Sequence, residues 1–176
     1  MPEPVHVLIV STSLSPKSRS QTIARLAADK LTAAGTPSTL LDLREVPLPF
    51  TGSAAAWSDL AVADVKAKTK AATHLLFAVP VYNYDVNAVA KNYIELMGKD
   101  ALENKTVGFL LSAGGQGSYM AVMPFANSLM LDFRCWIVPR FLYVAKDLED
   151  GKLPGDLEER LDGLLADLLS RGVPTA

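Results

Sequence analysis

The chain has 176 residues, which at roughly 100–200 residues per domain predicts a single domain. Apolar residues make up 49% and charged residues 20%, a balance that excludes a disordered, collagenous or disulfide-scaffolded chain. Seventeen Lys and Arg against nineteen Asp and Glu leave a net charge of −2, too weak a field to gather nucleic acid or anionic lipid, so neither is an expected partner. Cys135 is the only cysteine and His6 and His74 the only histidines. An intrachain disulfide is therefore impossible, a structural zinc site lacks ligands, and the composition suits a reducing cytoplasm. The apolar run at residues 5–10 has no basic segment before it and no small-residue cleavage site, so it is not expected to be a signal peptide. Ser11, Pro80 and Ser112 interrupt the best apolar runs well short of the roughly 18 residues of a membrane span.

In chain order, the first strand is predicted at residues 5–10, followed by a helix from near Ser20 with Ile23, Leu26, Ala27 and Leu31 on one face. A second strand at 38–43 leads into a long connection, 45–58, punctuated by Pro47, Pro49 and Gly52. A helix is predicted at 58–72, where Lys66, Lys68 and Lys70 form a solvated face, and then a strand at 74–81. The next helix carries Val89, Tyr93, Ile94 and Met97 on one stripe and precedes a strand at 106–111. A helix at 118–131 is expected to kink at Pro124. The last strand, 136–144, contains Pro139, with Cys135 a buried thiol before it and Trp136 in the core or an interface. The final helix buries Leu157, Leu161, Leu164, Leu165, Leu168 and Leu169, opens with Asp156 and Glu159 spaced as a capping box, and stops at Gly172 and Pro174.

Three of the five apolar runs lack polar alternation, as strands covered on both faces do. Strand and helix alternating five times imply βαβ units with right-handed crossovers. The predicted fold is therefore α/β: a flavodoxin-like, doubly wound, five-stranded parallel sheet of order 2-1-3-4-5 in a three-layer α/β/α sandwich. In such a sheet, ligands bind beyond the carboxyl ends of the strands at the topological switch point.

Three loops should meet there. The first holds Ser11, Ser13, Ser18, Arg19, Ser20, Gln21 and Thr22, with Thr12, Ser15 and Lys17 among them, directly before a helix. Hydroxyls, a guanidinium and helix N–H groups in one loop suit a phosphate monoester; the plainer reading is a serine-rich loop with an N-cap. The second loop, with Pro80, Val81, Tyr82 and Asn83, offers aromatic and amide surface to a planar ring, although tyrosines near a strand end also serve packing. The third, with Ser112, Gly114, Gly115, Gln116 and Gly117, lets backbone N–H groups approach a ligand closely, unless its glycines serve only a turn. No G-x-x-x-x-G-K-S/T, no dinucleotide glycine fingerprint and no G-x-S-x-G elbow occurs. Both histidines are predicted at strand starts, opposite the ligand loops.

Together these loops resemble those of the NAD(P)H-dependent FMN reductase family of the flavodoxin-like superfamily. The family's phosphate loop, G-S-x-R-x-x-S-x-N or S-R-S after the first strand, is matched by Ser13 and by Ser18, Arg19 and Ser20. Its ring loop, T/V-P-x-Y-N followed by Lys-Asn or Lys-Thr, is matched by Val79 to Asn83 with Lys91 and Asn92, and its Gly-Gly loop by Gly114 and Gly115. Thr12 stands in place of the first glycine, and Ser15 where many members carry an arginine. The resemblance implies that the first loop's Ser11, Ser13, Ser18, Arg19, Ser20, Gln21 and Thr22 hold the FMN phosphate and nearby ribityl oxygens. Pro80, Val81, Tyr82 and Asn83, with Ser112, Gly114, Gly115 and Gln116, would border the isoalloxazine. It implies no catalytic side chain and no metal. The implied activity is hydride transfer from NADPH or NADH to flavin N5 and on to a flavin, quinone, azo or other acceptor, a flavin-dependent monooxygenase being one possible recipient. A homodimer or homotetramer is also implied, with the third helix as its surface. The alternative is a flavodoxin-type FMN electron carrier without NAD(P)H activity; such carriers resemble T-x-T-G-x-T in the first loop, which this chain lacks.

Overall fold

The computed structural model describes residues 4–171. Its strands are β1 (Val7–Ser11), β2 (Ser38–Asp42), β3 (His74–Tyr82), β4 (Asp85–Val86), β5 (Thr106–Ser112) and β6 (Trp136–Val144). Its helices are α1 (Arg19–Ala33), α2 (Leu60–Ala71), α3 (Ala88–Met97), α4 (Lys99–Leu102), α5 (Met123–Phe133) and α6 (Gly155–Ser170). The main sheet is parallel throughout, in the order β2-β1-β3-β5-β6, with the two-residue β4 returning antiparallel on β3. The five long strands thus take the predicted order, in a flavodoxin-like arrangement.

Successive strand residues point to opposite faces, and here both faces are dry. Leu8, Val10, Leu75, Phe77, Val107 and Phe109 face the layer of α2, α3 and α5. Val7, Ile9, Leu76 and Leu110 meet α1 and α6. Phe77 anchors the first layer, with Tyr93 and Phe125 edge-on at 5.7 and 5.4 Å, the geometry the ring quadrupole favours. On the other face, a Cβ at Gly108 would come within 3.1 Å of the Leu76 side chain and 3.4 Å of Leu164, so this glycine lets α6 lie close on the sheet.

Pro80 lies in an inner strand without breaking it. The Ala78 carbonyl accepts from Thr12 N–H at 3.1 Å, so Pro80, two residues on, turns its nitrogen to the same side, where β1 has already ended at Ser11. No ladder bond is lost, and the sheet opens at that point into a cleft between β1 and β3. On the outer strand β6, Val107 pairs with Ile137 and Phe109 with Phe141; the irregularity between them holds Pro139 and Arg140, where an edge strand tolerates proline.

Several local expectations are corrected. Pro124 does not kink a helix, because α5 starts at Met123 and places the proline in its first turn, where no N–H is required. The Asp156–Glu159 capping box does not form: α6 begins at Gly155 with no side-chain cap, so Asp156 and Glu158 sit inside the first turn, facing the positive end of the helix dipole. Of the two places expected for Trp136, core or interface, the core is excluded, because the side chain is 55% exposed. The apolar stripe of α3 is not a free surface, because Ala90, Tyr93, Ile94 and Met97 are buried inside the molecule. Gly172 and Pro174 lie outside the described residues. Among the described residues, no helix is long and apolar enough to cross a membrane.

Candidate functional site at the topological switch point

A cleft of about 660 Å³ opens where β1 and β3 diverge. Ser13, Ser18 and Arg19 line it from the first loop, Pro80, Val81, Tyr82 and Asn83 from the second, and Ser112 and Gly114 from the third, with Ser15, Lys17 and Ala113 between them. The three loops chosen from sequence therefore converge. Ser11, Ser20, Gln21 and Thr22 lie behind or beside the cleft, and Gln116 lines a neighbouring one. Gly115 sits between the two clefts, its carbonyl accepting from the Tyr143 hydroxyl.

The first loop is held in one shape by its own polar groups. Ser18 caps α1, its Oγ accepting from Gln21 N–H at 3.1 Å and lying 3.0 Å from the buried Ser20 Oγ. Ser13 Oγ accepts from Ser15 N–H at 3.3 Å, and Thr22 Oγ1 donates to Ser18 O at 3.2 Å. The N–H groups of Arg19 and Ser20, at the first turn of α1, have no helical carbonyl within reach. Ser11 is fully buried, and its Oγ has no partner among the described residues. Arg19 Nη1 donates to the carbonyls of Ala113 and Lys146, each at 3.0 Å, tying α1 to the ends of β5 and β6.

Two clamps fix this loop to its neighbours. Thr12 Oγ1 donates to Asn87 Oδ1 at 2.8 Å, while Asn87 Nδ2 donates to Thr12 O at 2.7 Å. Both side chains are buried, so the pair locks the first loop to the start of α3. At the end of β2, Asp42 accepts from Gln21 Nε2 at 3.3 Å and from Arg44 Nη2 at 2.5 Å, and Arg44 reaches Ser15 O at 3.4 Å. Burial alone would raise the Asp42 carboxyl, but hydrogen bonds from the Arg44 side chain and backbone hold it below its ordinary value. Of the clamp side chains Thr12, Asn87, Gln21, Asp42 and Arg44, only Gln21 belonged to the predicted site. The available signals were Thr12 standing in a glycine position and an Asp-x-Arg at a strand end, both of which name a partner only once the strands are paired.

The second loop is a two-residue hairpin: Val81 pairs with Val86 and Tyr82 with Asp85, leaving Asn83 and Tyr84 at φ of 52° and 63°. Both central residues are left-handed, as a type I′ turn requires. Asparagine adopts this conformation readily, but tyrosine does not. Tyr82 and Tyr84 are 55% and 58% exposed at the rim. Asn92 pins the long connection to α3, accepting from Thr51 N–H at 2.8 Å and donating to Pro49 O at 3.0 Å. In the third loop a Cβ at Gly114, Gly115 or Gly117 would meet nothing within 4 Å; the fold itself does not require glycine there.

The remaining candidates for chemistry lie elsewhere. His74, at the opposite end of β3, donates to or accepts from Thr73 through Nδ1 and approaches Arg171 O at 2.9 Å through Nε2; burial lowers its pKa. Burial also pushes the Cys135 thiol up to about 11, and Sγ donates to Leu102 O at 3.2 Å. Among the described residues, no cluster of His, Cys, Asp and Glu could hold a metal.

The switch-point cleft and the parallel sheet define a flavodoxin-like α/β protein whose ligand loops bring hydroxyls, a helix N-terminus, aromatic rim and bare backbone to one place. The chain belongs to the NADPH-dependent FMN reductase family, whose model matches residues 5–149. No curated protein sequence matches it. Similar solved structures include an NADH:FMN oxidoreductase in its apo form, at TM-score 0.79 and 16% identity over 98% of this chain and 91% of that one. The flavoenzyme NAD(P)H:(acceptor) oxidoreductase FerB from Paracoccus denitrificans superposes at TM-score 0.75 and 17% identity over 96% and 99% of the two chains. An azoreductase from Bacillus anthracis str. Sterne does so at 0.59 and 18% over 94% and 97%. At these identities the likeness is one of fold.

Proposed function

We propose that this chain is an NAD(P)H-dependent flavin reductase that holds FMN in the switch-point cleft. The observation that carries the reading is the convergence of the three loops on one cleft in a chain of this family. The residues present fit the group: the N-terminus of α1 meets a wall lined by the Ser13 and Ser18 hydroxyls, the fully buried Ser11 hydroxyl at the end of β1 has no partner among the described residues, and Gly114 on the third loop leaves open space. Ser13, Ser18, Arg19 and the first N–H groups of α1 would bind the phosphate, with Ser20, Gln21 and Thr22 shaping that end from behind. Pro80 to Asn83 and Ser112 to Gln116 would flank the ring. When bound, FMN supplies the hydride and electron chemistry. The protein orients the ring, offers backbone N–H groups to it and excludes water, so the absence of an acid–base side chain is consistent with the reading.

The acceptor is a small molecule, such as a second flavin, a quinone or an azo compound, with transfer to a flavin-dependent monooxygenase as the other route. Anaerobic oxidation of NADPH and NADH by flavin-stripped protein, titrated with FMN and repeated with a quinone, tests this. Oxidation that needs only free FMN marks a reductase feeding a partner, whereas oxidation by tightly held FMN only with quinone marks a terminal reductase. FMN binding without oxidation of either nucleotide would instead establish an electron carrier.

We also infer self-association as a dimer or tetramer. Since the apolar stripe of α3 is buried, the supporting surface is the long connection between β2 and α2 with the first residue of α2, where Phe50, Trp57 and Leu60 are 74%, 70% and 86% exposed. Light scattering that shows only monomer at micromolar concentration would refute it.

A further inference from the structure

A second cleft, of about 670 Å³, lies on the far side of the third loop, between that loop, β6 and the N-terminal half of α6. Gly114 lines the switch-point cleft and Gln116 the second, so the peptide joining Gly115 to Gln116 stands in the wall between them. Its carbonyl accepts from the hydroxyl of Tyr143, a side chain that lines the second cleft only. We propose that Tyr143 is a positioning residue: by holding the Gly115 carbonyl it turns the Gln116 N–H toward the bound ring and raises the reduction potential of FMN. This role rests on the reading of the switch-point cleft as the flavin site.

A trans peptide is planar, and its carbonyl and N–H project from opposite edges. With the Gly115 carbonyl drawn to the second cleft, the Gln116 N–H faces the first, where a Cβ at Gly114 or Gly115 would meet nothing within 4 Å. Gln116 opens a single 3₁₀ turn, Gln116–Ser118, so no helical carbonyl precedes it. Among the described residues, the N–H groups of Gly114, Gly115 and Gln116 donate to no backbone carbonyl. Sterics do not fix this peptide. Gly115 has φ −168° and ψ 172°, extended backbone open to any residue. Turning the peptide plane over carries ψ to near zero at the same φ, a combination closed to residues with a side chain and open to glycine. The Tyr143 bond therefore selects the orientation, and Tyr143 is itself held. Its side chain is buried; Tyr119 meets it edge-on at 5.5 Å and tilts against Phe141 at 4.7 Å. Arg160 of α6 braces both neighbours, Nη2 donating to the Tyr119 hydroxyl and Nε to Phe141 O, each at 2.9 Å. Reduction adds electron density to a flavin ring, so a fixed N–H dipole beside the ring binds the reduced form more tightly than the oxidised one. A plane turned over would present a carbonyl and reverse that preference.

The test measures FMN affinity of the oxidised protein by flavin fluorescence, and the midpoint potential of the FMN-loaded protein by anaerobic reduction beside a dye of known potential. Tyr143→Phe keeps the ring and removes the hydroxyl. We expect the oxidised form to be held within about twofold of the unaltered protein and the reduced form about tenfold more weakly, which lowers the midpoint of the two-electron couple by about 30 mV. Tyr119→Phe keeps its ring against Tyr143 and loses only the Arg160 bond, and should leave the potential where it is. In the unaltered protein, which needs no variant to fold, the Gln116 amide proton should move downfield in NMR spectra when the bound FMN is reduced. FMN binding with an unshifted or raised potential in Tyr143→Phe overturns this proposal alone, as does equal weakening of both redox forms, the mark of a merely structural tyrosine. An equal shift in Tyr119→Phe also overturns it, because the effect would then come from the aromatic cluster and not from the bond to Gly115. A Gln116 amide indifferent to reduction does the same. Failure of the unaltered protein to bind FMN overturns the flavin reading and this role with it.

Discussion

Two of the three loops that meet at the switch point are built on opposite principles. The first, between β1 and α1, is buried at both ends, at Thr12, Ser13 and Ser18, and together with the first turn of α1 is cross-bonded to four other elements: to the start of α3 through Thr12 and Asn87, to β2 through Gln21 and Asp42, and to the ends of β5 and β6 through Arg19. The β3–β4 hairpin is exposed, is tied down mainly by its own two-residue pairing, and carries a tyrosine in a left-handed conformation at its tip. A rigid loop suits a phosphate, whose charge and geometry are fixed, and a strained, exposed one suits a face that must admit successive planar substrates. Preorganisation is therefore concentrated at one end of the site and adaptability at the other.

That contrast can be broken most severely at Asn87. Asn87→Ala leaves a buried threonine hydroxyl and carbonyl without their partner, and should cost about 2–3 kcal/mol, seen as a fall of about 4–12 °C in Tm together with weakened FMN binding. An unchanged Tm would show that the clamp is not structural. Next is Arg19→Ala, for which we expect the Kd for FMN to rise about tenfold, as loss of a charge-assisted hydrogen bond implies, with little change in folding. Flavin affinity that stays the same in a fluorescence titration would remove Arg19 from the phosphate end.

Gly115→Ala separates fold from ligand more finely. With nothing within 4 Å of the new methyl, Tm should hold while FMN affinity drops a few-fold; a matched drop in both would make this glycine structural. Acid should loosen the first loop and spare the hairpin. The Asp42 carboxyl titrates below its ordinary value of 3.8, so its bonds to Gln21 and Arg44 stabilise the fold fully above that value, and the contribution is lost as pH falls through the lower folded value. Hydrogen exchange between pH 5 and pH 3 should show the change first in amides near Ser15 and Gln21, and Asp42→Asn should abolish that pH dependence. The smallest effect is expected at the hairpin tip. Tyr84→Gly relieves roughly 1–2 kcal/mol of left-handed strain but frees the unfolded chain by about 0.4–1 kcal/mol, so Tm should rise by no more than a few degrees. A fall in Tm would show that the tyrosine is held by contacts that outweigh its strain.

The sequence by itself determined the strand order and which three segments leave the strands at the switch point. Both follow from short-range signals: unbroken apolar runs mark strands buried on both faces, and hydroxyl-, proline- and glycine-rich segments mark their carboxyl ends. It could not determine which polar groups of those loops face the ligand and which face one another. Gln21 and Thr22 looked like phosphate ligands but turn to Asp42 and Ser18, whereas Thr12 and Asn87, 75 residues apart, form a buried, doubly bonded tie. Helix ends were decided in the same way: Asp156 had the spacing of a cap, yet the chain entering from Pro154 starts α6 two residues too early for it. Pairings across the sheet, and the second cleft beside α6, arise where segments distant in the chain are brought within hydrogen-bond reach, and distance of that kind is set by packing of the two apolar layers rather than by any local pattern.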